Sequence, residues 1–129
     1  MTYYFTTTLD IPFTSAVQHV IEELKKEGFG VLTDIDVKAT LEKKLDVEFR
    51  NYRILGACNP PFAYKALQAE DKIGLMLPCN VIVQERIDGG GVEVAAVDPI
   101  VSMQGVENES LGEVAETVRK KLEQVILSL

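Results

Sequence analysis

The stretch at residues 79–97 constrains the fold of this chain most strongly. It holds two runs of alternating apolar and polar residues, at 79–87 and 92–97, with only Asp88-Gly89-Gly90-Gly91 between them. An alternation of period two indicates half-buried strands, and a short glycine-rich connection indicates a hairpin. Because a hairpin joins antiparallel strands, the sheet must contain an antiparallel pair. The glycines match no phosphate-binding pattern, since no helix follows them.

The rest of the chain alternates strands with helices. Hydrophobic periodicity predicts strands at residues 2–9, 29–35 and 52–58, and helices at 13–27, from 36 onward, at 60–70 and from 110 onward. Gly28 is the expected left-handed end of the first helix. Asp36 is expected to cap the second helix rather than to share a metal or proton with Asp34, which we expect to be exposed. We expect an irregular segment at 100–109, and Ser110 and Glu113 as a capping box. This order predicts an α+β fold, with one antiparallel sheet covered by helices on one face.

The final helix carries an apolar stripe that allows two arrangements. Its members recur at alternating steps of four and three residues: Leu111, Ala115, Val118, Leu122, Val125 and Leu129. Such a repeat forms either a coiled-coil seam between two subunits or the buried side of a helix on its own sheet. The stripe spans fewer than three heptads, which favours the second arrangement.

Composition and charge exclude several classes of partner. The 129 residues suffice for one domain, residues 1–129. Thirteen Lys and Arg against twenty Asp and Glu give a net charge of −7, which argues against nucleic acids and anionic membrane surfaces as partners. No apolar run reaches the roughly 20 residues of a membrane span, and the N-terminus does not resemble a signal peptide. We therefore expect a cytoplasmic protein with reduced cysteines.

Two Cys-Asn motifs form the candidate functional site. Cys58-Asn59-Pro60-Pro61 ends one strand and begins a helix, and Leu77-Pro78-Cys79-Asn80 begins the next strand. We expect the two loops to converge on one pocket, and we predict the following ligand-binding residues: Cys58, Asn59, Pro60, Pro78, Cys79 and Asn80. Asn59 is also a good helix cap. The two asparagines either fix the loops through hydrogen bonds to the backbone or line a pocket for an anionic or carbonyl ligand.

The two thiols allow three interpretations. Cys58 and Cys79, with Met76 or Met103 nearby, would suit a soft metal site for Cu(I) or Zn. Alternatively, Cys58 precedes a helix whose N-terminus lowers the pKa of a thiol, as in a thiol enzyme or a redox sensor. The only histidine, His19, is predicted to face solvent, so the sequence offers no base for such an enzyme. The third interpretation is that both cysteines are simply buried in the core.

The motifs resemble those of a bacterial and archaeal family described as domain of unknown function 302. The resemblance rests on residues 56–60 and 77–81, on Asp98-Pro99, on the stretches 27–32 and 34–37 and on the amphipathic C-terminal helix. It implies a curved antiparallel sheet with helices packed on one face, similar in topology to the TATA-box-binding protein, and a homodimer. It implies neither an activity, nor catalytic residues, nor DNA binding.

The function that we predict is a small non-enzymatic cytosolic module. It would bind a small ligand or a soft metal at the loops of Cys58 and Cys79. One alternative is a thiol-dependent enzyme or redox sensor that uses Cys58 or Cys79. The other is a structural homodimeric assembly module with the C-terminal helix as its interface.

Overall fold

The computed structural model describes residues 2–129. Its strands are β1 (Tyr4–Leu9), β2 (Gly30–Asp36), β3 (Tyr52–Cys58), β4 (Cys79–Glu85) and β5 (Val92–Val97). Its helices are α1 (Phe13–Lys26), α2 (Val37–Leu45), α3 (Pro60–Ala69), α4 (Pro99–Ser102) and α5 (Gly112–Ser128), with single 3₁₀ turns at Ile73–Met76 and Glu109–Leu111. No helix in this part of the chain has the length and apolar character that crossing a membrane requires.

All five strands form one open antiparallel sheet in the order β1-β5-β4-β3-β2. The predicted hairpin pairs β4 with β5, and Val83 lies opposite Val94. The connection from β3 to β4 is much longer, because α3 and a 3₁₀ turn intervene, yet these two strands are also neighbours. The predicted α+β class, with an antiparallel sheet and helices packed on one face, is confirmed.

One face of the sheet carries the main core. Leu55, Val81 and Ala96 lie opposite one another on β3, β4 and β5, and all three are fully buried. α1 and α5 cover this face, and α3 packs against α5. Each fully buried Val or Leu side chain contributes about 1.5–3 kcal/mol of hydrophobic free energy. The apolar spacing of the strands therefore decides which face the helices cover.

The stripe of α5 lies inside this core. The buried residues of α5 are Ala115, Val118, Leu122 and Val125, all from the stripe, and in addition Ile126. Most of them join the same apolar cluster as the central strands. The arrangement in which the final helix lies on its own sheet is thus the observed one, and a coiled-coil seam between subunits has no free stripe to use.

The other face of the sheet is more open. A row of side chains crosses it at one level of the strand register: Thr6, Ala95, Ile82, Ile54 and Ile35. Each of these residues is exposed or half-buried, and Ile35 is 47% exposed. This row is apolar over four of its five positions.

The segment that leads into α5 differs from the prediction. The capping box is wrong, because Asn108 and not Ser110 caps the turn at Glu109–Leu111 by accepting a hydrogen bond from the Ser110 amide (3.0 Å). The Asn108 amide also donates to the Ala69 carbonyl at the end of α3 (2.7 Å), so a tertiary contact fixes the position of this cap. Residues 100–109, predicted to be irregular, contribute most of α4, which Asp98 caps.

Candidate functional site

A cavity of about 310 Å³ lies where β2, β3 and β4 meet α3 and α5. Its walls are almost entirely apolar and are formed by Phe29, Leu32, Ala57, Cys58, Asn59, Phe62, Ala63, Ala66, Leu67, Gly74, Leu77, Pro78, Cys79, Met103, Val114, Ala115 and Val118. Both thiols of the chain lie in these walls. The volume is at the lower end of the range of roughly 300–1,000 Å³ for small-molecule sites.

The register of the sheet brings the two cysteine motifs together. Cys58 is the last residue of β3 and Cys79 the first residue of β4. Ala57 lies directly opposite Cys79, so Cys58 is one step from the partner of Cys79. α3 begins at Pro60, directly after this strand end, and closes the cavity from the helix side. The two distant motifs therefore meet at one end of the sheet.

Four of the six predicted site residues line the cavity, namely Cys58, Asn59, Pro78 and Cys79. Pro60 is exposed at the first position of α3 and does not line the cavity. Asn80 is exposed on the opposite face of the sheet, because successive side chains of a strand alternate between its two faces. Asn80 therefore cannot face the same space as Cys79.

The two thiols differ in their surroundings. Both are free cysteines; Cys58 is half-buried and Cys79 is buried. Burial, together with a smaller contribution from the neighbouring Cys58, raises the pKa of the Cys79 thiol to about 11. Cys79 is thus fully protonated at neutral pH, and a protonated thiol is a poor nucleophile.

Asn59 fixes the loops around the cavity. It occupies the predicted cap position of α3, but its side chain does not cap the helix. Its amide nitrogen instead donates to the carbonyl of Glu27 (3.1 Å), in the turn between α1 and β2. Gly28 of this turn has a φ of +88°, and a Cβ there would lie 3.2 Å from the Asn59 nitrogen. The side chain therefore serves the structure, as one of the two interpretations of the asparagines expected.

Pro78 lines the cavity and lies close to Gly56 of β3. A Cβ at Gly56 would lie 2.7 Å from Cγ of Pro78 and would also collide with Oγ1 of Thr33. Glycine at position 56 is therefore what lets the proline ring approach β3. The peptide bond between Leu77 and Pro78 is cis.

The wall opposite the sheet contains residues that the sequence analysis did not assign to the site. Three of these residues, Val114, Ala115 and Val118, lie on α5. Ala115 and Val118 belong to its apolar stripe, whose spacing predicted burial but not a cavity. Met103 lies in the cavity wall, whereas Met76 is 41% exposed and outside it. No sequence periodicity predicts the position of Met103, because tertiary contacts place its segment.

Asp98 positions the segment that carries Met103. This residue is 7% exposed. One oxygen of its carboxylate accepts a hydrogen bond from the Ile100 amide (3.0 Å), and the other accepts from Nε of Arg119 on α5 (3.1 Å). A buried carboxylate requires such partners. The pair holds the start of α4 against α5 and so fixes this side of the cavity.

The other polar candidates lie away from the cavity. Asp36 caps α2 by accepting from the Ala39 amide (3.0 Å), and Asp34 pairs with Arg53, so the expected roles of Asp36 as a cap and Asp34 as a surface residue hold. His19 lies in a surface groove beside Asp34. Within residues 2–129, no three His, Cys, Asp or Glu side chains lie together in a way that could hold a metal ion.

The arrangement at the cavity suits an apolar guest. The polar group of Asn59 is already bonded to the backbone, and the two S–H groups are weak donors. Leu32 and Leu67 line the cavity and are also 68% and 46% exposed, so the apolar surface continues from the interior to the solvent. The cavity is therefore accessible from outside.

Comparisons with known proteins agree with the resemblance in the motifs. The family model described as "Domain of unknown function DUF302" matches residues 5–129. Among solved structures, the chain is similar to the crystal structure of an uncharacterized conserved protein DUF302 from Bacillus stearothermophilus. The two share 26% sequence identity and a TM-score of 0.89, over 98% of this chain and 97% of that chain. No curated protein gives a significant match.

Proposed function

The chain belongs to the family of domain of unknown function DUF302, and we propose that this member is a small non-enzymatic module that binds an apolar ligand beside Cys58 and Cys79. The observation that supports the proposal is the open cavity of about 310 Å³ with apolar walls. Protein interiors are otherwise packed with few voids larger than a water molecule. A retained space of this size and chemistry is what a small-molecule site requires.

The chemistry of the walls favours binding over catalysis. A general acid or base must lie within hydrogen-bond reach of the reacting group. The polar side-chain groups of the walls are the Asn59 amide and two thiols. The amide already donates to the Glu27 carbonyl, and the Cys79 thiol has a pKa of about 11. Hydrophobic contact is therefore the interaction that this site offers.

A neutral fluorescent probe tests the proposal directly. N-phenyl-1-naphthylamine should bind the protein saturably with one-to-one stoichiometry. Ala66→Leu places three more carbon atoms in the cavity wall and should weaken binding at least tenfold. Ala39→Leu adds the same atoms at an exposed position of α2, outside the cavity, and serves as the matched control. No saturable binding, or equal loss in both variants, would contradict the proposal.

A second candidate ligand is Cu(I). Met103 lines the same cavity as Cys58 and Cys79, so two thiol groups and a thioether contribute to one cavity wall. Such soft ligands select Cu(I), which accepts few ligands, whereas structural zinc takes four. Binding would release the Cys79 proton, so the affinity would rise with pH.

Competition with a chromophoric Cu(I) chelator tests this second candidate. Cys58→Ser and Cys79→Ser should abolish transfer of Cu(I) to the protein, and Met103→Leu should weaken it. Met76→Leu changes an exposed methionine outside the cavity and is the control. Failure of the wild-type protein to compete for Cu(I) at pH 8 would contradict Cu(I) as a ligand and would leave the apolar-ligand proposal unaffected.

In the thiol-enzyme or redox-sensor alternative, Cys58 is the better candidate for the reactive thiol. The raised pKa of Cys79 disfavours it as a nucleophile, which leaves the half-buried Cys58, the last residue of β3 and two residues before α3. Rapid alkylation of Cys58 by iodoacetamide at pH 7, faster than that of a denatured control, would support this alternative. Slow alkylation would exclude it.

We further propose that the protein is cytoplasmic and forms homodimers. Two free cysteines are typical of a reducing compartment. Because the stripe of α5 is buried in its own chain, the open sheet face is the better candidate interface, with its apolar row of Ile35, Ile54, Ile82 and Ala95. Light scattering should give a dimer mass at micromolar concentration, and Ile82→Lys should give a monomer. A monomeric wild-type protein would contradict this.

A further inference from the structure

Two lysines lie beside one wall of the cavity. Nζ of Lys65, on α3, is 5.6 Å from the centroid of the Phe62 ring, and Nζ of Lys121, on α5, is 6.0 Å from the same centroid. The ring of Phe62 lines the cavity. Attraction between a cation and an aromatic ring favours these positions. Both ammonium groups therefore lie within 6.0 Å of the centroid of a ring that belongs to the cavity wall, and neither lysine is itself part of that wall.

Neither lysine is neutralised by a neighbour. The five ion pairs among residues 2–129 involve other cations, namely Lys26, Arg53, Lys72, Arg86 and Arg119. A chain of net charge −7 thus presents two unpaired positive charges beside Phe62, a residue of the apolar cavity wall. The two lysines could bind an anionic head group, and the apolar cavity walls could bind a hydrocarbon chain.

We infer that the ligand is a single-chain anionic amphiphile, a medium-chain alkanoate, with its carboxylate at Lys65 and Lys121 and its alkyl chain in the cavity. The inference rests on the proposed apolar binding function and names the class of ligand. The exposed side chains of Leu32 and Leu67 give the chain an apolar way in. If each methylene fills roughly the 30 Å³ of a water molecule, 310 Å³ holds about ten of them. Chains of about eight to ten carbon atoms should fit best.

Calorimetric titration of the full chain with alkanoates and the matching 1-alkanols tests the head group and the tail separately. All ligands are used as monomers, at pH 7.5 and low salt, where the carboxylate is charged. Octanoate should bind about three- to tenfold more tightly than 1-octanol, since exposed ion pairs contribute modestly. Affinity should rise with chain length up to about ten carbon atoms and then stop rising.

Charge variants locate the head group. Lys65→Ala with Lys121→Ala should make octanoate and 1-octanol bind equally, without loss of 1-octanol affinity. Lys25→Ala with Lys120→Ala removes the same two charges at exposed positions outside the cavity and should keep the preference. Circular dichroism confirms that each variant is folded.

The outcomes separate the two proposals. Equal wild-type affinity for octanoate and 1-octanol would overturn the amphiphile inference and leave the apolar cavity intact, and so would an equal loss of preference in both double variants. Binding of neither ligand nor the neutral naphthylamine probe would overturn the proposed function itself. Binding to phosphatidylglycerol vesicles without binding of monomeric octanoate would assign the lysines to a membrane surface and overturn the cavity as the site.

Discussion

Replacement of Ala66 by leucine tests whether the cavity is real space. Ala66 is 2% exposed, lies on α3 and lines the cavity, so a longer side chain there enters an existing gap instead of a packed contact. Three additional buried carbon atoms contribute about 2 kcal/mol at roughly 0.8 kcal/mol each. Leucine has slightly lower helix propensity than alanine, which costs a few tenths of that. We expect Ala66→Leu to raise the free energy of unfolding by about 1–2 kcal/mol.

Ala16→Leu is the matched control. Ala16 is fully buried on α1, within the main core, and it does not line the cavity. The same three carbon atoms must there displace packed neighbours, and overpacking of this kind costs typically 1–3 kcal/mol. The two substitutions are chemically identical and are predicted to have opposite signs.

Urea denaturation followed by far-ultraviolet circular dichroism measures both changes, since the chain contains no tryptophan. The slopes of the transitions should match that of the wild type, so that the midpoints report stability alone. At about 3–5 °C per kcal/mol for a domain of this size, thermal melting should shift upward for Ala66→Leu and downward for Ala16→Leu. If Ala66→Leu destabilises the protein as much as the control does, the cavity is not available space and the reasoning fails.

Three further predictions concern residues around the cavity. Asn59→Ala should destabilise the protein by about 1–3 kcal/mol, because it leaves the Glu27 carbonyl without its hydrogen-bond donor. The control Asn80→Ala, on the open sheet face, should cost less than about 0.5 kcal/mol. Equal losses of stability in urea denaturation would contradict this prediction. Cys79 should keep its proton to a higher pH in the folded than in the unfolded state, so between pH 9 and 11 the wild type should lose about 2 kcal/mol of stability relative to Cys79→Val. Parallel pH profiles would refute the raised pKa. Gly56→Ala should cost about 1–3 kcal/mol through its collision with the Pro78 ring, and an unchanged melting temperature would show that the ring moves freely.

The local elements could be predicted well because their signals are local. The hairpin follows from Gly89 to Gly91 between two alternating runs, and β5 has the predicted bounds, Val92–Val97. Asp36 caps α2 as expected because an aspartate cap needs only the next turn of its own helix. The stripe of α5 predicted its burial correctly because one helix face decides it.

The parts of the site that depend on tertiary contacts could not be predicted. Asn108 replaces Ser110 as a cap because its amide also bonds to the end of α3. Met103 reaches the cavity only because Asp98 anchors the preceding segment to α5. The orientation of Asn80, by contrast, follows from strand alternation, since Cys79 before it and Val81 after it are buried on the core face of β4.

Methyl NMR spectroscopy of the protein during titration with neutral 1-octanol tests the central claim, that the cavity beside the two cysteines holds an apolar ligand. Saturable shifts are predicted for the methyl groups of Ala63, Ala66 and Val118 in the cavity wall, while Ala95 on the open sheet face stays unchanged. Shifts at Ala95 and Ile82 without shifts in the cavity, or no saturable shift at any methyl group, would contradict the claim.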